Sequence, residues 1–172
     1  MRKFISVILF CILLGCSATK LEDAISSPDL EKVSILYQDD NDEIVIFLSK
    51  NAAGGEMISL NKYTKTGNVY GYDVNGEFAV NIDRDIQDEF LTVSPVGNSS
   101  IKVFWGFVFN YQGAETVKYS LEDEAGNILY ESSIRINKNH IVIEKLPKGI
   151  DSDKVTLRYQ VLDHNGKVLV ER

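Results

Sequence analysis

The sequence predicts an all-β protein built from antiparallel sheets, and three observations carry that expectation. From residue 32 onward apolar side chains recur at every second position, which puts them on one face of a strand. Turn-forming residues punctuate the chain at intervals of roughly ten residues, the spacing of short strands in a sandwich. No interior segment sustains an apolar repeat at helical spacing.

Residues 1–15 have the three parts of an export signal: Arg2 and Lys3, an apolar run from Phe4 to Leu14, and the small residue Gly15. The run is well short of the ~20 residues that span a bilayer as a helix. Leu13-Leu14-Gly15-Cys16 follows in register and resembles the lipobox of bacterial lipoproteins. The resemblance implies cleavage between Gly15 and Cys16, a diacylglyceryl thioether on Cys16, and a chain held at the extracytoplasmic face of the cell membrane. Two acyl chains meet the requirement for stable anchoring, at ~0.8 kcal/mol per buried methylene. A plain secretory signal with a coincidental cysteine is the competing reading. Cys11 lies in the discarded segment, so neither a disulfide nor a redox pair is expected.

Loss of Arg2 and Lys3 takes the net charge from −7 to −9. An acidic surface repels nucleic acid and anionic headgroups, so nucleic acid is excluded as a partner and the lipid alone has to hold the chain at the bilayer. Residues 16–30, rich in Ser with one Pro, read as a linker with a short helical turn at Leu21 to Ile25. As coil it would average roughly 20 Å.

Residues 31–95 read as an N-terminal β module. Val33, Ile35 and Tyr37, then Ile44, Ile46 and Leu48, form a hairpin across the polar stretch QDDNDE. Strands are expected at 57–63, 68–74 and 77–82, with Asn75-Gly76 as a type I′ turn between the last two. Turn residues around Pro95, Gly97 and Asn98 place a module boundary near residue 95, although two modules of this size can share one core.

Residues 96–172 read as a β-sandwich with six or seven strands. The pattern resembles immunoglobulin and fibronectin type III domains diffusely, without their cysteine pair or any diagnostic motif. Within it, VKYSLEDEAGNILYE (117–131) and LRYQVLDHNGKVLVE (157–171) align without gaps at an offset of forty. Each supplies an Asp to open a type I turn and a Gly for the left-handed position of a bulge. Shared turn chemistry and duplication both account for the match.

KVFWGFVFNYQG (102–113) is the most apolar stretch of the mature chain. Val103, Trp105, Phe107 and Phe109 fall on one strand face and Phe104, Gly106 and Val108 on the other, so a central strand buried on both sides is expected. The alternative is that Gly106 marks a close backbone approach beside an aromatic groove.

Tyr63, Tyr70, Tyr72 and Tyr111 sit near expected turns and strand ends and could form a recognition surface; cross-strand aromatic pairing is the alternative. The acidic run Asp39, Asp40, Asn41, Asp42 and Glu43 lacks the spacing of a calcium loop, since Ile44, Ile46 and Phe47 fall where ligands and glycine belong. Asn81, Asp83, Asp85 and Asp88 alternate suitably, but Ile86 and Thr92 replace the glycine and the bidentate glutamate. No metal and no cofactor is assigned. His140 and His164 are the only histidines, and neither a nucleophile elbow nor a phosphate loop is present, so no catalytic residue is assigned.

At the level of layout the chain resembles the small lipoproteins of Gram-positive bacteria: lipobox, brief linker and acidic β-rich ectodomain. The resemblance implies a non-enzymatic binding or accessory module whose partners are the bilayer, through Cys16, and another envelope protein or ligand. An unrecognised extracellular hydrolase and a calcium-stabilised surface domain are the alternatives.

Overall fold

The computed structural model describes residues 18–27 and 30–172; the signal segment, Gly15 and Cys16 lie outside them. The first sheet contains β1 (Leu30–Asp39), β2 (Ile44–Asn51), β3 (Glu56–Thr66), β4 (Val69–Tyr72) and β5 (Phe78–Ile82). β1, β2 and β3 run antiparallel in that order, and β4 and β5 share the remaining edge of β3. β5 pairs with Glu56 to Leu60 and β4 with Tyr63 to Thr66.

This pairing corrects the hairpin expected at Asn75-Gly76. The eleven residues of β3 are long enough to take both short strands end to end, so β4 and β5 pair with β3 and not with each other. The Asn75-Gly76 segment is a corner in which the Glu77 amide donates to the Val74 carbonyl at 3.2 Å. Only Gly76 of the pair has positive φ, at 81°, as a type II turn requires and a type I′ turn does not.

The second sheet consists of β6 (Glu89–Pro95), β7 (Lys102–Val108) and β10 (Ile141–Lys145), in the order β10-β7-β6. The third consists of β8 (Ala114–Glu122), β9 (Ile128–Arg135), β11 (Thr156–Asp163) and β12 (Val168–Glu171), in the order β12-β11-β8-β9. These seven antiparallel strands make a β-sandwich, three strands on four. Its first strand begins at Glu89 and not at 96, because β6 pairs with β7 from Glu89↔Val108 to Pro95↔Lys102. The turn residues around Pro95 and Gly97 close that hairpin, with the Val96 amide donating to the Ile101 carbonyl at 2.9 Å.

The first sheet lies on the outer face of β10-β7-β6, so the molecule has three β layers and two cores between them. Val103, Trp105 and Phe107 pack with Ile44, Ile46, Ile58 and Leu60. Phe104, Val108, Leu91 and Val142 pack with Val117, Leu121 and Val161. β7 is therefore buried on both faces, as its sequence predicts. The Trp105 indole N–H, fully buried, donates to Ser94 Oγ at 2.8 Å, which meets the need of a donor removed from water.

Gly106 does mark a close approach. A Cβ there would lie 1.8 Å from the Phe90 carbonyl oxygen. The neighbouring Trp105 and Phe107 nevertheless fill the interlayer core and line no groove.

The outer face of the first sheet is also apolar, because β2 buries Val45 and Phe47 opposite Ile44 and Ile46. It is covered by α1 (Leu21–Ile25), whose Leu21 and Ile25, one turn apart, pack on Val45, Phe47 and Tyr63. The helical turn forms where the sequence places it, but the segment before it is not free coil: the Tyr70 amide donates to the Ala18 carbonyl at 2.9 Å.

The two echoed hairpins close identically. In β8–β9, Asp123 Oδ1 accepts from the amides of Ala125 and Asn127, and the Gly126 amide donates to the Asp123 carbonyl. In β11–β12, Asp163, Asn165, Lys167 and Gly166 repeat each of these bonds. Both glycines have positive φ, 81° and 80°, beside a register shift, as the turn-and-bulge reading requires.

Candidate functional site

The four tyrosines singled out in the sequence do not form one surface. Tyr63, Tyr70 and Tyr72 come together beneath α1, and Tyr63 faces Tyr72 across β3 and β4. Tyr63 is 2% exposed, and its ring centroid is 5.9 Å from that of Tyr70. Tyr111 lies apart, against the sandwich core, with its hydroxyl 2.7 Å from Glu89.

Seven of the eight tyrosines donate their hydroxyl to a carboxylate, which shows what the residue type is for in this acidic chain. The pairs are Tyr37 with Asp39, Tyr63 with Asp40, Tyr72 with Glu77, Tyr111 and Tyr159 with Glu89, and Tyr119 and Tyr130 with Glu144. Glu89 and Glu144 stand on β6 and β10, the two edges of the middle sheet. Burial, then the neighbouring carboxylate, pushes the Tyr111 and Tyr159 hydroxyls up to about 12.

The two acidic runs are committed to main-chain and side-chain donors. Asp39 Oδ1 accepts from the amides of Asn41 and Asp42. Asp40 accepts from Lys65, Tyr63 and Gln38, which hold its carboxyl at about 2. Asp42 pairs with Lys145 of β10 at 2.6 Å and so ties the first layer to the second. In the other run, Asp83 Oδ1 accepts from the Asp85 amide and caps a turn. Among the described residues no three His, Cys, Asp or Glu side chains converge as metal ligands.

A groove of about 900 Å³ opens between the first and second layers, at the end of β3 that carries Glu56. Leu36, Leu48 and Ile82 supply its apolar wall, and Phe109 is its centrepiece. The Phe109 ring stacks on buried Phe107 at 4.2 Å, takes the Arg84 guanidinium at 5.9 Å from its centroid, and meets the His140 imidazole edge-on at 6.1 Å. Arg84 is aimed by a bidentate pair to Glu56, 2.7 and 2.6 Å, and that guanidinium holds the Glu56 carboxyl below the usual range. Asn110 Nδ2 donates to the Arg84 carbonyl at 2.8 Å, and Asn139 Nδ2 donates across the layers to the Leu36 carbonyl at 2.7 Å.

Among the described residues His140 is one of three non-glycine residues with positive φ, at 64°. Its amide donates to the Asn137 carbonyl, and its carbonyl accepts from Val108, both at 2.9 Å. Holding a side chain in that conformation costs of order 1–3 kcal/mol, and such costs concentrate at ligand sites. The strain sets the exposed imidazole on the groove rim.

Sequence reasoning did not assemble this group. Arg84 reads as a lone cation in an acidic run, Phe109 as the end of a core strand and His140 as a residue before a strand. No spacing joins them. The only local signals are the polar Asn110 directly after an apolar run and a histidine where a turn calls for glycine or asparagine. His164 stands at the exposed tip of the β11–β12 hairpin, away from the groove.

No protein-family model matches the chain, and no curated protein or solved structure is significantly similar to it.

Proposed function

We propose that the protein is an extracytoplasmic binding module, anchored in the cell membrane by an acylated Cys16, whose interlayer groove receives a segment of another envelope protein. The lipobox resemblance of Leu13 to Cys16 supports the anchor, and the acidic chain supports a tether made by lipid and not by surface charge. The observation that carries the binding reading is the group Arg84, Phe109 and His140. An aromatic platform is flanked by the Arg84 guanidinium and by the imidazole of His140, whose backbone has positive φ, above an apolar wall. Guanidinium and aromatic groups anchor interfaces because they bury wide surfaces with little loss of side-chain freedom. The apolar wall accepts an aliphatic or aromatic side chain, and the rim carries mixed charge, Arg84 and Lys138 beside Glu56, Asp83 and Asp85.

The test is site-specific photo-cross-linking in intact cells, with the cross-linker at Lys138 on the groove rim or at Lys118 on the outer face of the third sheet. An adduct of discrete mass from position 138 that is lost on Arg84→Glu, with none from position 118, is expected. Equal adducts at both positions, or adducts unaffected by Arg84→Glu, contradict the groove reading.

A further inference from the structure

Ala18, two residues beyond Cys16, is already fixed in the fold. Ala18 bridges to Tyr70 of β4, and α1 follows at Leu21 with Leu21 and Ile25 each 2% exposed. Two extended residues reach at most about 7 Å. β3 is eleven residues long, or about 34 Å at ordinary strand rise. A lipid on Cys16 is thus tied close to the end of the first sheet where β3 turns into β4, and the tether is too short for the molecule to turn end over end.

The paired part of the β3–β4 hairpin, Tyr63 to Tyr72, itself carries no acid. Residues 57–72 carry Lys62 and Lys65 and no acid, in a chain that is otherwise strongly acidic. The two-residue tip, Gly67-Asn68, is uncharged and projects into open space, and Val69 beside it is 41% exposed. The β1–β2 turn stands at the same end and carries Asp39, Asp40, Asp42 and Glu43, of which Asp40 pairs with Lys65 and Asp42 with Lys145. The uncharged, partly apolar tip can rest at the headgroup layer of a zwitterionic bilayer, where the acidic turn beside it meets no net surface charge.

We propose that the β3–β4 hairpin rests on the outer leaflet of the bilayer and that the groove of Arg84, Phe109 and His140, at the opposite end of β3, is held facing away from it. The proposal rests on acylation of Cys16 and adds a defined orientation to it. It places the occupant of the groove on the side of the module remote from its own membrane.

The test uses the lipidated full chain in phosphatidylcholine vesicles that contain a headgroup-spin-labelled lipid. Cys16 is blocked as a thioether, so a fluorophore can be attached uniquely through Asn68→Cys at the hairpin tip or Ala53→Cys at the β2–β3 turn. Quenching several-fold stronger at position 68 than at 53 is expected. A flexible Gly/Ser insert between Ser17 and Ala18 should abolish that difference while the protein still floats with vesicles. Equal quenching at the two positions in floating protein, or stronger quenching at 53, overturns the orientation and leaves the anchor standing. Protein that does not float overturns the anchor, and the orientation with it.

Discussion

Glu89 and Glu144 put negative charge at the two edges of the middle sheet, and hydroxyl donors make those positions tenable. Glu144 accepts from Tyr119, Tyr130 and Ser132 at 2.9–3.0 Å, and Glu89 from Tyr111 and Tyr159, with Arg172 at 3.4 Å. A buried carboxylate with donors on several sides is far less costly than a bare one. The sign of the resulting pH dependence is fixed by the direction of the tyrosine shifts. Tyr111 and Tyr159 are raised to about 12 when folded, against about 10 in the unfolded chain, so folding favours the protonated hydroxyl. Their contribution is intact below pH about 10 and is lost as the pH climbs toward 12. The urea midpoint should therefore fall across that window, and Tyr159→Phe should flatten the fall; a midpoint insensitive to pH there contradicts the assignment. At Gly106 the constraint is steric. Gly106→Ala should cost ~4 kcal/mol or more, since its Cβ meets backbone at 1.8 Å, whereas Gly113→Ala, with positive φ but open space around it, should cost only ~1–2 kcal/mol. Equal costs in urea titrations would remove the close-approach argument.

Elements were legible in the sequence to the degree that their cause is local. Period-two spacing of apolar residues identifies β1, β8 and β11 from their own residues, and Asp-to-Gly spacing identifies the two bulged hairpins. Leu21 and Ile25 mark a helical turn. Partner choice is another matter, because it depends on which edge is free and which face is bare. β4 and β5 look like a hairpin until the length of β3 is known, and the turn-rich segment after β6 looks like a linker until β7 is paired. The docking of α1 likewise follows from apolar side chains on both faces of β2, which only a third layer explains. The groove was not legible, since Arg84, Phe109 and His140 belong to three separate connections that meet only when the first sheet lies on the sandwich. The docking of α1 is testable on its own. Leu21→Asp should release it and speed exchange of the Tyr70 amide by at least about tenfold, while Trp105 fluorescence still reports a cooperative transition. Unchanged exchange at Tyr70 would mean that α1 does not hold Ala18 in place.

As a whole the molecule is a three-layer β body in which a seven-strand sandwich carries an extra sheet on its three-stranded face. The added layer buries Trp105 and Phe107, covers a face that a free sandwich would expose to water, and creates the groove at the seam. It also receives Ala18 and α1, so the layer that forms one wall of the groove is the one next to the proposed anchor. The account depends most on the acyl group at Cys16, and mass spectrometry of the protein taken from membranes tests it directly. Trypsin cleavage after Lys20 should release an N-terminal peptide that begins at Cys16 and carries a diacylglyceryl group. A free thiol at Cys16, or a peptide that still contains Gly15, would contradict the account.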